Sequence, residues 1–187
     1  MACKLSKSLG NKSCSYAVAG AASLFLANWY PATEGAAAVE GAIAYTTDAE
    51  GVITSIKLPE GESFYKIQAA QETLSFTDAL TAGGSGAKFR THTVNATLNQ
   101  LDTDILDEAD ALSLGRFIAV VVDNAGRVIL LGRMGGLSAS QFDYNSGAAM
   151  ADATGWTHVL AGPQGETIKE LASIAVVTPI QEDVIDP

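Results

Sequence analysis

ESFYKIQAAQETLSFTDAL (Glu62–Leu80) and KFRTHTVNATLNQ (Lys88–Gln100), separated by the glycine-rich segment Thr81–Ala87, alternate between polar and apolar residues over most of their length. Successive side chains of a β-strand point to opposite faces. In the first arm Gln71, Thr73, Ser75 and Thr77 therefore share one side, and Leu74 and Phe76 the other. The second arm repeats the arrangement, with Thr91, Thr93, Asn95 and Thr97 forming an uncharged polar row in front of Val94, Ala96 and Leu98. Together they predict one extended β-hairpin. Strands usually run about 5–6 residues, so two arms of this length, faced by hydroxyls and amides, exceed what a small monomer uses. The expectation is a ribbon that forms part of a wall built from many copies.

The 187 residues fit one β-rich domain, with an N-terminal arm over about 1–20 and an extended C-terminal tail over about 178–187. A content of 48% hydrophobic and 17% charged residues suffices for a proper core. The 21 acidic against 11 basic residues give a net charge of −10, which argues against a protein that grips nucleic acid through phosphate contacts. An acidic surface suits a conduit that repels a polyanion. Cys3 and Cys14 sit in no CxxC pair and beside no histidine cluster, so no metal site is expected. They read as two free thiols of a protein made in reducing cytoplasm, the alternative being one bond closing a short loop. Tyr16–Ala27, preceded by Lys4, Lys7 and Lys12, has the look of a signal peptide. However, Leu24, Leu26 and Trp29 lead straight into Tyr30-Pro31 as a half-buried strand would, and the chain retains the segment. The apolar run is also shorter than the about 20 residues a bilayer requires, and no membrane segment is expected.

Along the chain, a strand is predicted near Ser23–Tyr30, then a small-residue loop over Pro31–Gly41, then a hairpin of Ile43–Thr47 and Val52–Leu58 turning at Asp48–Gly51. After the long ribbon the period changes. Leu101, Ile105, Leu106, Ala109 and Leu112 fall at helical spacing, with Asp102 or Thr103 as N-cap and Gly115 as the stop, and Asp104, Asp107, Glu108 and Asp110 crowd the early turns. Arg116–Val122 and Arg127–Leu131 are two apolar strands joined by Asp123-Asn124-Ala125-Gly126, the expected centre of the core. Gly132–Thr154 reads as irregular, Trp156–Leu160 as a strand, and Ile168–Val177 as a strand or short helix.

None of the candidate chemistry matches a catalytic pattern. Gly83-Gly84-Ser85-Gly86-Ala87-Lys88 is not a phosphate loop, because no Ser or Thr follows the lysine and Phe89 opens a strand instead of a helix. It reads as a flexible hairpin tip, the sharper variant being a tip that orders only against a neighbouring subunit. The acidic cluster on the helix lacks the spacing and glycine of a calcium loop and reads as a solvated face. His92 and His158 lie far apart, each in a strand, with no nucleophile elbow. The Asn11 and Asn95 glycosylation patterns carry no meaning without secretion. Ser146–Trp156 is a small-residue loop in which Asp152 can cap a turn and Gly155 permits close approach before the aromatic-led strand.

Leu130-Leu131-Gly132 ending a pair of apolar strands, the Gly/Ser loop after it, the small-residue stretch with Asp152, the Gly155-Trp156 pair and the FYKIQAAQETLSFTDAL ribbon occur in an order that resembles the major tail (tail-tube) proteins of phages, especially those infecting Bacteroidetes. The resemblance spans most of the chain up to Ala161. It implies a mainly β, sandwich or barrel-like fold with one flanking α-helix and a long β-hairpin. It further implies self-assembly into stacked six-fold rings forming a tail tube, no cofactor and no enzymatic activity. The expected partners are copies of itself and other tail proteins, with DNA passing unbound. The expected location is the virion tail, assembled in the host bacterial cytoplasm. Thr73, Ser75, Thr77, Thr91, Thr93, Asn95 and Thr97 become the candidate lumen or inter-subunit face. Gly83, Gly84, Ser85, Gly86 and Lys88 become a candidate inter-ring loop, joined in that role by the N-terminal arm and Met134–Ala153, while Asp152 and Gly155 form a structural turn. The alternatives are a head–tail connector or capsid decoration protein and, from another class, a secreted carbohydrate-binding β-sandwich.

Overall fold

The computed structural model describes residues 19–178 except 38, 85, 100, 102, 150, 151 and 153. Cys3, Cys14, the arm lysines and the acidic C-terminal run lie outside the described residues. The protein is mainly β, built on strands β1 (Ala21–Asn28), β2 (Ala32–Glu34), β3 (Ile43–Thr47), β4 (Ile53–Lys57), β5 (Tyr65–Ile67), β6 (Ser75–Ala82), β7 (Lys88–Leu98), β8 (Arg116–Asp123), β9 (Val128–Leu131), β10 (Leu137–Asn145), β11 (Gly155–Gln164) and β12 (Lys169–Leu171). One helix, α1 (Thr103–Leu114), connects β7 to β8. The strands form one ladder in the order β2-β3-β4-β12-β9-β8-β10-β11-β7-β6, with β1 joined to β8 and β5 to β1.

That ladder folds over itself because its central strands are apolar on both sides. Leu24–Ala27 of β1, Phe117–Val121 of β8 and all of β9 are buried without alternation, the pattern of strands covered on both faces. Phe25, Ala27, Ile118, Val120, Val128 and Leu130 face one core with Ile43, Tyr45, Ile53, Ile56 and Phe64. Leu24, Leu26, Phe117, Ala119, Val121, Ile129 and Leu131 face a second with Leu74, Val94, Ala96, Leu137 and Leu160. The β2-β3-β4 end of the ladder covers one side of the central strands and the β10-β11-β7-β6 end covers the other.

The turn between β9 and β10 makes the second fold-over. Gly132 and Gly136 take left-handed backbone angles, φ 81° and 70°, which glycine adopts without steric cost. A Cβ on Gly162 of β11 would lie 2.2 Å from the Gly136 carbonyl oxygen. Gln164, 2% exposed, closes the gap: its Oε1 accepts from the Met134 and Gly135 N–H groups at 3.1 and 3.0 Å, and its Nε2 donates to the Gly136 carbonyl at 2.9 Å.

Several boundaries differ from the sequence expectation. The first arm of the ribbon is not continuous. Tyr65–Ile67 pairs with β1 in the central layer, the chain turns through Ala70–Thr73 with Glu72 at φ 61°, and only Ser75–Ala82 pairs with β7. Period-2 alternation marks extended backbone and does not name its partner, and Gln71 therefore sits in a turn, outside the ladder. The tip is also shorter, closed by Gly83 N–H to Ala87 O at 2.8 Å, with Thr81 and Ala82 still in β6. Gly132–Thr154 is not irregular, because it contains the nine-residue β10. A register shift between Ala139 and Gln141 breaks its alternation and hides it in the sequence. The following strand runs to Gln164 instead of ending at Leu160. Pro31–Gly41 includes β2, parallel to β3. Ile168–Val177 holds both β12 and a 3₁₀ turn at Ile174–Val176. The helix matches its expected span, though it buries no residue fully.

Replacing Gly162 by Ala drives a Cβ into a backbone oxygen that cannot yield alone. Thermal unfolding should show a loss of roughly 2–3 kcal/mol, a fall in Tm of about 5–10 °C. Gly165→Ala, three residues on in open space, should change stability by less than about 0.5 kcal/mol.

Candidate assembly surface

The outer layer β6-β7-β11-β10 is an antiparallel sheet of four strands whose outward face is built row by row mostly from uncharged side chains, with Asp143 at the β10 edge and Phe89 near the hairpin tip. Cα partners share a face. Ser75, Asn95, Val159 and Gln141 therefore form one row, and Thr77, Thr93, Ala161 and Ser138 the next. Ala79, Thr91 and Pro163 follow, and Thr97, Thr157 and Asp143 lie on the other side. Thr73 stands just before β6, where its hydroxyl donates to Ala70 O at 2.8 Å and accepts from Thr97 N–H at 3.3 Å, extending the row beyond the strand. Asn95 Nδ2 donates to Ser75 Oγ at 3.3 Å. The seven residues singled out in the sequence thus come together on one surface. The sequence did not disclose that β11 and β10 widen that surface with Thr157, Val159, Ala161, Gln141 and Asp143. No Lys or Arg stands in these rows.

Among the described residues the sheet has one fully open edge and one open over most of its length. β6 hydrogen-bonds β7 on one side and has no strand on the other among the described residues. β10 pairs β11 from Ser138 to Asn145 but meets β8 only at Leu137 and Ser138. The eight-residue β6 edge carries neither Lys nor Pro, and its one inward-pointing charge, Asp78, is neutralised by Arg90 within the sheet.

The inner face of the hairpin is tied to the body by charge. Arg90 Nε donates to Asp78 Oδ1 at 2.5 Å, and Ile168 N–H donates to Asp78 Oδ2 at 3.3 Å. The Asp78 carboxylate is disfavoured by burial, but the Arg90 hydrogen bond, the Ile168 N–H and neighbouring His92 outweigh this and hold its pKa below the usual value. His92, buried in β7, accepts from Gly132 N–H through Nδ1 at 3.3 Å, which leaves the proton on Nε2, 3.6 Å from Asp78 Oδ1. His92 thus belongs to the corner. Arg133 and Glu166 pair bidentately at 2.6 and 2.5 Å, and Glu166 also interacts with His92. His158 packs edge-on to Phe142, 5.1 Å between ring centroids, and bonds the Leu112 backbone under α1. Phe142 stacks on Trp156 at 4.6 Å between ring centroids, and Tyr144 lies tilted against the same Trp156 ring at 5.2 Å.

The tip residues Gly83, Gly84, Gly86 and Lys88 are exposed, and Ser85 lies outside the described residues. Leu80 and Phe89 beside them are exposed on opposite faces of the ribbon. Asp152 Oδ2 accepts from the Ala148 and Ala149 N–H groups, both at 2.8 Å, which holds its pKa below the usual value. Gly155 approaches β7 so closely that a Cβ would lie 2.4 Å from Leu98 O. Among the described residues no group of three or more His, Cys, Asp or Glu is placed to hold a metal ion. No helix among them is long and apolar enough to cross a membrane.

No family model matches the chain, and no curated protein matches it. Among solved structures, a chain from the virion of a native gene transfer agent particle is similar at 14% identity and a TM-score of 0.35, over 58% of this chain and 89% of that chain.

The buried histidine sets a pH window. Burial pushes the His158 pKa from 6.5 down to about 4, so between those values the unfolded chain binds a proton that the folded one refuses, and stability falls as pH drops through that range. The shift corresponds to about 3 kcal/mol. Urea unfolding at pH 7, 5.5 and 4.5 should show the decline; burial also lowers the His92 pKa and adds to it in the same direction, so His158→Leu should reduce the slope and leave the His92 part. An imidazole resonance of His158 titrating near 6.5 would contradict this account. Asp78 and Asp123, both lowered, contribute stability that is lost only at lower pH, as their carboxylates protonate.

Proposed function

We propose that the protein is a non-enzymatic virion structural protein whose copies join edge to edge into rings, the rings stacking into a phage tail tube through which DNA passes without specific binding. The observation that carries this reading is the four-stranded outer sheet, with two edges open among the described residues and an outward face dominated by Ser, Thr, Asn and Gln without Lys or Arg. Pairing the β6 edge of one copy with the β10 edge of the next satisfies the backbone groups that each leaves open. The operation is heterologous, the kind that closes into a ring when the rotation permits.

Six copies, the number the tail-tube resemblance implies, would contribute about 24 strands. At ~4.8 Å between strands and ~40° of tilt, the closed sheet measures roughly 48 Å between opposite backbones. The polar rows then face the bore. Hydroxyls and amides keep that wall wet, and the absence of Lys and Arg denies phosphates a place to bind. Gly83–Lys88 at the hairpin tip would reach the adjacent ring, and the Asp152–Gly155 turn would hold the β10–β11 end in shape.

Negative-stain images of the purified protein at rising concentration should show rings and then tubes. Leu80→Pro, which removes a backbone donor from the open edge of β6 while leaving the Thr77–Thr93 pairing to β7 intact, should leave a folded species by circular dichroism that no longer polymerises. A wild-type monomer that stays monomeric at high concentration rejects the reading, as do unaltered tubes from the proline variant. Deleting Gly83–Gly86 should leave rings but stop their stacking; unchanged tubes would remove the loop from that role.

Lysines placed at Thr93 and Asn95 should preserve tubes while making them retain duplex DNA at low salt, with retention lost as salt rises. Filter binding of assembled tubes measures this directly.

A further inference from the structure

The outward side of α1 is uncovered among the described residues and chemically distinctive. Ile105, Ala109, Leu112 and Ser113 form the half-buried side against the body, whereas Leu106 and Leu114 are 53% and 86% exposed. Between and beside them stand Asp104, Asp107, Glu108 and Asp110, all exposed, with no basic residue in the helix. The surface is apolar and acidic together.

A segment of matching character exists in the same chain. Residues 1–18 carry Lys4, Lys7 and Lys12 and no carboxylate, with Leu5 and Leu9 between the lysines. Eight basic residues remain for all 21 acidic ones over 19–187, a net charge of −13 from 8 minus 21, against +3 for residues 1–18. The positions are complementary as well. Where the described chain begins, Ala21 N–H donates to Leu74 O at the start of β6, while α1 lies against β10. β6 and β10 are opposite edges of the outer sheet. Edge-to-edge pairing therefore sets the root of one copy's N-terminal segment beside the next copy's helix. Eighteen residues can reach on the order of 60 Å, ample to cross one subunit boundary.

From this we infer that the basic segment 1–18 of one copy docks on the acidic, leucine-bearing face of α1 in the neighbouring copy and clamps the edge-paired contact. The inference rests on the ring proposed above. Opposed charges of this kind steer association and fix which surfaces meet, and the contact weakens with salt.

The test exchanges charge between the two surfaces in the full chain. The double variant Asp107→Lys/Asp110→Lys and, separately, Lys4→Glu/Lys7→Glu should each raise the concentration needed for assembly roughly tenfold. Both pairs combined should bring it back toward wild type. Zero-length carbodiimide coupling of a mixture of ¹⁴N and ¹⁵N protein should give lysine–carboxylate links between residues 1–18 and α1 that join light to heavy chains. Unchanged assembly in the single-sided variants, worse assembly in the combination, links only within one chain, or no such links each overturn the clamp. Rings that still form in those cases leave the edge-paired reading intact, whereas wild-type protein that forms no rings rejects that reading separately.

Discussion

The close contact between Gly136 and Gly162 is the constraint on which the layered arrangement depends. β9 and β10 both run along β8, yet β10 must leave it after two residues to build a different sheet. That departure brings two backbones to a separation that admits no side chain. Close backbone approach strips water from amides and carbonyls, which then need partners. Gln164 supplies both an acceptor and a donor from one side chain, and His92 accepts the Gly132 N–H. The apolar central strands thus acquire a second covering layer through a corner made of backbone and two buried polar side chains.

The outer sheet has a different balance. Its inner side, with Leu74, Val94, Ala96 and Leu160, is held by burial, whereas its outer side gives up the same opportunity for hydroxyls and amides. Threonine suits such a face because its β-branch favours extended backbone while its hydroxyl stays hydrated. Thr73 shows how finely this works. Its side chain takes the place of a backbone acceptor for Thr97 N–H where the ladder has already ended. Fixed charge is confined to the inner side, where Asp78 and Arg90 neutralise each other, and to the Asp143 rim.

What could be read beforehand follows from how far each signal reaches. β3, α1, the β8–β9 pair and the alternation of β7 are local patterns of burial and turn chemistry. Asp123, for example, accepts from Ala125 and Arg127 N–H as an Asp opening a four-residue turn should. The polar row was legible for the same reason. The partner of Tyr65–Ile67 was not, since alternation is the same whichever strand lies alongside. β10 escaped because one extra residue near Ser140 shifts Phe142 and Tyr144 out of phase with Leu137 and Ala139, and its Ser and Ala content resembles loop. The corner joins Gly136 to Gly162 and to Gln164, the latter 28 residues away, and no spacing rule connects them.

The two open edges and the polar face reinforce each other. An exposed edge in a sheet with an apolar outer face would invite indiscriminate stacking as well as strand addition. With Ser, Thr and Asn outside, lateral backbone pairing becomes the favoured contact and face-to-face stacking loses its driving force. A neutral face also removes the like-charge repulsion that a net charge of −10 would otherwise set between adjoining sheets, because the carboxylates are carried mostly elsewhere, on α1 and in the turns. In the proposed ring, the distribution of charge would leave the edges as the place where copies approach, without any residue dedicated to attraction along the sheet itself.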